Sequence, residues 1–219
     1  MIGLGKASVA AVYVLAALSC PAVPPTQKVE LEFNTQPPVL TRNTTAQELG
    51  KYTVSTTFSR SRNEVFTMGG LHITEFAPQY MISFNMLQGL QNGQVCLAPA
   101  AVKIVVDYAP RILLASEVPA GSCQYKAILD HEMRHVGIDV ITLNEYLPRI
   151  QLAVAAVVAK IQPIGPMPQS SIERAKNIIV DAVRASLVKE IDEFEIVRLN
   201  RQQMLDTRQE YMRISKLCQ

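Results

Sequence analysis

The stretch His131-Glu132-Met133-Arg134-His135, the pattern H-E-x-x-H, limits what this chain can fold into more than any other. On a helix its two histidines stand one turn apart, so both imidazoles lean toward one point and can grip one metal ion. Glu132 then lies beside that ion as a base. The helix itself is written in the flanking residues. Leu129, Met133, Val136, Val140, Leu143 and Leu147 recur at steps of three and four, and Gln124, His131, His135 and Thr142 fall nearly opposite them. The spacing predicts a helix over 122–147, capped by Ser122, with its apolar back buried and its histidines aimed at a cleft.

Residues 1–22 read as a secretory signal. Lys6 is the lone charge of a short n-region, Ala7 to Leu18 is apolar but short for a membrane span, and small residues with prolines follow. Three kinds of processing fit: cleavage after Ser19, with Ala17 and Ser19 as the small pair, cleavage after Ala22, or a lipoprotein signal that makes Cys20 a lipid anchor. In the last case Ala17 stands where leucine is usual. Export, whether to periplasm, envelope or medium, favours paired cysteines. Cys96, Cys123 and Cys218 survive every cleavage. A Cys96–Cys123 bond would tie a loop ahead of the sheet to the start of the metal helix, while Cys218 is left to either of those or to Cys20.

Residues 23–162 form the expected core. Hydrophobic residues make up 48% of the chain, enough for a core, and the net charge of +2 comes with no basic block interleaved with aromatics. Nucleic acid is therefore excluded as a partner. Alternating or β-branched runs at 28–34, 52–58, 71–76, 80–87, 102–108 and 111–118 predict strands, the last two as a hairpin around Ala109-Pro110. The fold class is α+β, an antiparallel sheet packed on the H-E-x-x-H helix and followed by a long C-terminal helix. Strand 111–118 leads into the metal helix and is the expected edge for an extended peptide. Pro148 predicts a break before a further helix over 149–161.

Residues 163–219 read as a proline-rich linker and a helix from Ser171 to Leu217, with Ser170 and Glu173 at capping-box spacing. Its stripe of Ile172, Ala175, Ile179, Val183, Leu187, Phe194, Val197, Met204 and Met212 has Glu190 in its middle. A carboxylate there is costly unless paired or bound to metal. A catalytic zinc takes three protein ligands and leaves its fourth position to water. Glu190 is one expected third ligand. Asp139, one turn past His135, is the other, or else fixes the His135 tautomer. Glu145, Glu193 and His72 complete the alternatives.

The pentapeptide 131–135 resembles the signature of the zincin metallopeptidases, and the order of signal, sheet and H-E-x-x-H helix is similar to uncharacterised secreted bacterial zinc-dependent proteases. The resemblance implies that His131 and His135 bind Zn2+, that Glu132 activates the attacking water, and that the substrate is a protein or peptide. The metzincin extension is not met, since Gly137 comes one position early and Ile141 replaces the third histidine. Tyr146 and Arg201 are the expected oxyanion partners. Two other classes share these features: a zinc amidase acting on cell wall, and a non-catalytic envelope or binding protein. The sequence does not fix an oligomeric state.

Overall fold

A computed structural model of the chain describes residues 19–21, 28–52, 69–74, 76, 78–87 and 93–218. The h-region of the expected signal and nearly all of the expected strand 52–58 lie outside the described residues. The protein is α+β, with two sheets laid along a pair of long helices.

The first sheet has the order β1 (Lys28–Thr35), β5 (Val95–Tyr108), β4 (Gln79–Leu87), with β7 (Ile164–Met167) pairing the start of β5. The second has the order β2 (Val39–Thr44), β6 (Arg111–Ala115), β3 (Gly70–Ile73). Alternation explains the first sheet: Val102, Ile104, Val106 and Tyr108 are buried while Lys103 and Asp107 face solvent. That is the period-two pattern of a sheet covered on one face.

The expected antiparallel pairing joins β4 to β5, β3 to β6 and β7 to β5, while β1 runs parallel to β5 and β2 parallel to β6. Strands β5 and β6 do not form a hairpin. At Ala109-Pro110 the chain turns from one sheet into the other, and residues 36–38 turn beside it. The two bends are fastened by Gln36 N–H to the Tyr108 carbonyl at 2.9 Å and Val39 N–H to the Pro110 carbonyl at 3.0 Å. In consequence β6 lies inside its sheet and is not an edge. Among the described residues the edge that meets the helix is β3.

Helix α2 (Cys123–Val158) is one continuous rod, started by the Ser122 hydroxyl accepting from Tyr125 N–H. It passes through Pro148 without ending. A proline inside a helix costs about 3 kcal/mol, but Pro148 faces solvent, and beyond it Ile150, Val154 and Val158 are each fully buried. Burying an aliphatic side chain gains about 1.5–3 kcal/mol, so continuation wins.

The short α1 (Ala46–Leu49) carries a capping box between Thr45 and Glu48 and buries Leu49. After α2 the chain passes β7, within the segment expected as a plain linker, and a 3-10 turn at Gln169–Ser171. Helix α3 (Ile172–Leu205) then returns antiparallel to α2. Its cap is Ser171, one residue after the expected Ser170, and that side chain makes no capping hydrogen bond. From Ala175 to Phe194 the apolar stripe is buried as spaced, but the helix ends at Leu205. A separate helix α4 (Arg208–Lys216) follows, with Thr207 accepting from Glu210 N–H. Met212 therefore falls off the stripe, and both it and Met204, the last residue but one of α3, are exposed.

Two disulfides close the structure, Cys20–Cys96 and Cys123–Cys218. The expected Cys96–Cys123 bond is not formed: Cys96 is buried in β5, and Cys123, at the start of α2, meets the end of α4. Paired cysteines fit an extracellular or periplasmic protein. Among the described residues no helix is long and apolar enough to cross a membrane.

Candidate metal centre

Helix α2 is covered on two sides, by β3 and β6 on one and by α3 and α4 on the other. That is why its buried arc is wider than one stripe. Ile128, Glu132 and Val136 belong to it, and so do His131, His135, Asp139 and Thr142. The histidines are thus on the buried side, not opposite it, and all three histidines of the chain converge there.

Among the described residues, His131, His135 and Asp206 form one buried group able to hold a metal ion. Asp206 comes from the two-residue break between α3 and α4. Buried Leu205 anchors one side of that break and the Thr207 cap fixes the other, so the intervening carboxylate is aimed at α2. Its Oδ1 lies 3.2 Å from His131 Nε2 and 3.1 Å from His135 Nε2, and the two Nε2 atoms are 3.2 Å apart. Bonds of 2.0–2.2 Å in a tetrahedral site put donors about 3.3–3.6 Å apart. The triangle is close to one face of such a site.

Proton positions follow from the outer partners. The Gln202 amide nitrogen donates to the His135 carbonyl at 3.0 Å and to Asp139 Oδ1 at 2.5 Å. Its oxygen therefore faces His135 Nδ1, which must donate. His131 Nδ1 faces the acceptor Glu210 Oε1 at 3.4 Å, and Arg134 holds that carboxylate from the other side at 2.5 Å. With both Nδ1 atoms carrying hydrogen, both Nε2 atoms of the neutral rings turn lone pairs toward an ionised carboxylate. Three electron-rich atoms that close together need a cation, either a metal ion or a proton.

The electrostatics describe the proton case. Burial works against charge on His135, but the Asp206 hydrogen bond and charge outweigh it and raise its pKa, making a salt bridge. For Asp206 burial again opposes, yet the hydrogen bonds from His131 and His135 hold the carboxyl well below its usual range. Glu132 differs. Burial pushes it up to about 7, against the pull of His135 and His131. Its carboxylate accepts from the His72 backbone on β3. A Cβ on Gly70 would stand 2.7 Å from Glu132 Oε1, so only glycine lets this strand come so close. Tyr211 on α4 donates to Asp206 Oδ1 at 3.0 Å, and burial pushes its hydroxyl pKa up, keeping it a donor.

The other expected ligands are placed elsewhere. Glu190 is a correction: it pairs with Arg149 at 3.2 Å, about 18 Å along α3 from Gln202 at 1.5 Å per residue. Asp139 is occupied by Arg198 at 2.7 Å, by Gln202, by the Tyr108 hydroxyl at 3.3 Å and by His72 Nε2 at 3.5 Å, and meets His135 through Gln202 and His72. His72 stacks parallel to His135 at 6.2 Å, and burial lowers its pKa to about 4. Glu145 pairs with Arg201 and Glu193 with Arg149, each near 2.7 Å. Tyr146 packs between Phe194 and Arg149, so neither it nor Arg201 stands at the centre. Asp206 and Tyr211 were missed by spacing alone. The signal was Thr207 followed by Glu210, a capping-box pair that starts a new helix just after an aspartate.

No protein-family model, no curated protein and no solved structure matches this chain.

Proposed function

We propose that the protein is an exported zinc-dependent peptidase of the zincin kind, with His131, His135 and Asp206 as ligands and Glu132 as general base. The observation that carries this reading is the close triangle of His131 Nε2, His135 Nε2 and Asp206 Oδ1 with the buried Glu132 carboxyl beside it. Two nitrogens and a carboxylate oxygen in a tetrahedral spacing suit zinc, and three protein ligands are the count of a catalytic site, structural sites having four. A bound zinc ion would supply Lewis acidity, polarising the scissile carbonyl and acidifying the attacking water.

The chain's own groups do the rest. Glu132 takes the proton from the attacking water and returns it to the leaving amine, so hydroxyl adds to the carbonyl carbon as the C–N bond breaks. The Tyr211 hydroxyl, which donates to Asp206 Oδ1, would orient that ligand. Gln202, steadied by Asp139 and Arg198, keeps His135 in the tautomer that binds metal, and Glu210 does the same for His131.

One observation favours a second reading. His131, Glu132 and His135 are 3–7% exposed beneath α4, which suits a metal that staples an envelope protein and turns nothing over. Metal analysis of purified protein, with unstructured protein and peptidoglycan as substrates, tests both. The peptidase reading expects about one zinc per chain, lost in Asp206→Ala and His135→Ala, and cleavage of protein that Glu132→Gln abolishes while zinc stays. Cleavage of peptidoglycan alone reassigns the substrate. Zinc without any turnover leaves the staple, and failure to take up zinc removes the metal centre.

A further inference from the structure

Cys20 lies at the junction of three incompatible fates. A lipoprotein signal would place a diacylglyceryl group on its sulfur, and a thioether sulfur cannot also form a disulfide. Cleavage after Ala22 would discard the residue and leave Cys96, which is fully buried in β5, as an unpaired thiol. In the structure the Cys20 sulfur is bonded to Cys96. A place is built for it: Gly165 on β7, with φ of 135°, lies so close that a Cβ there would be 3.2 Å from that sulfur and 2.7 Å from the Val95 carbonyl. Ser19 and Pro21 on either side are exposed.

We propose that the exported chain is cut between Ser19 and Cys20 by a type I signal peptidase, and that Cys20 becomes the first residue of the mature protein, disulfide-bonded and not lipidated. Ala17 and Ser19 supply the small residues that such a cleavage takes three and one positions before the cut. Water adds across the Ser19–Cys20 peptide bond, leaving a Ser19 carboxylate on the signal and a Cys20 ammonium on the mature chain. Signal cleavage accompanies translocation and the disulfide follows. The two thiols then lose two protons and two electrons to a thiol–disulfide oxidant of the exported compartment. The N-terminus is thereby pinned against β5 and β7. This proposal does not depend on the metal centre.

The test is to express the full chain with a C-terminal tag in a Gram-negative host that oxidises periplasmic thiols, and to record intact mass and N-terminal sequence. The expected product begins at Cys20, carries two disulfides and has no free thiol after denaturation. Cys20→Ser should be cut at the same bond and yield one thiol per chain on denaturation, because type I cleavage reads Ala17 and Ser19 and not residue 20. An N-terminus at Val23, a glyceryl thioether on Cys20, retention of residues 1–19, or loss of processing in Cys20→Ser would each overturn the proposal.

Discussion

Glu132 should make the metal-free protein less stable as pH rises, and Glu132→Gln should remove that loss. The folded protein holds the carboxyl proton up to about pH 7, whereas the unfolded chain releases it near 4.5. Between those values the folded state binds more protons, so stability falls with increasing pH, and it levels off above 7 where both states are ionised. The rise in pKa is about 2.5, which at about 1.36 kcal/mol each amounts to about 3 kcal/mol. Glutamine does not titrate. Asp206 and Glu210, both held low, add stability in the opposite sense that fades in strong acid, and they do so in both proteins. His135, whose raised pKa owes part of its rise to Glu132, loses stability in the same direction, so the difference between the two proteins reads Glu132 together with that coupling. Urea unfolding in a chelator at a series of pH values, with disulfides intact, should show wild type losing about 3 kcal/mol relative to Glu132→Gln between pH 4 and pH 8. Curves that stay parallel within about 1 kcal/mol would refute the burial and close contacts assigned to this carboxyl.

Gln202→Ala leaves all three ligands in place but frees the His135 tautomer, so zinc affinity should fall about 10–100-fold by competition titration. Unchanged affinity would sever Gln202 from the site. Gly70→Ala sets a methyl 2.6 Å from the Ile128 methyl and 2.7 Å from Glu132 Oε1, and denaturant unfolding should show a loss of about 1–3 kcal/mol. Cys218→Ser releases α4, which has no buried residue of its own. Chelator-driven zinc loss should then accelerate, and stability should drop by about 2–4 kcal/mol; an unaltered release rate would show that α4 does not cover the metal.

What was legible in the sequence was local. The α2 helix, its Ser122 cap, the strands β1, β4 and β5 and the α3 stripe up to Phe194 all follow from periodicity and caps that act over a few residues. What escaped depended on how distant segments meet. Asp206 lies 71 residues beyond His135 and became a neighbour only because α3 folds back along α2. The stripe from α3 to Met212 looked continuous, since a helix break of two residues shifts the apolar phase without erasing it. Glu190 stood out as a charge on an apolar face, yet Arg149 on the facing helix accounts for it. The histidines were expected opposite the buried stripe because one stripe implies one covered face, and α2 has two. The parallel pairings and the disulfide partners are long-range choices that no short window contains.

The route of the chain also sets a timetable. A polypeptide delivered N-terminus first presents His131 and His135 well before Asp206 arrives, and Cys218, the latch for α4, comes later still. The motif is therefore complete long before the centre is. A ribosome holding a chain that stops short of Asp206 holds the two histidines without the carboxylate that completes their group.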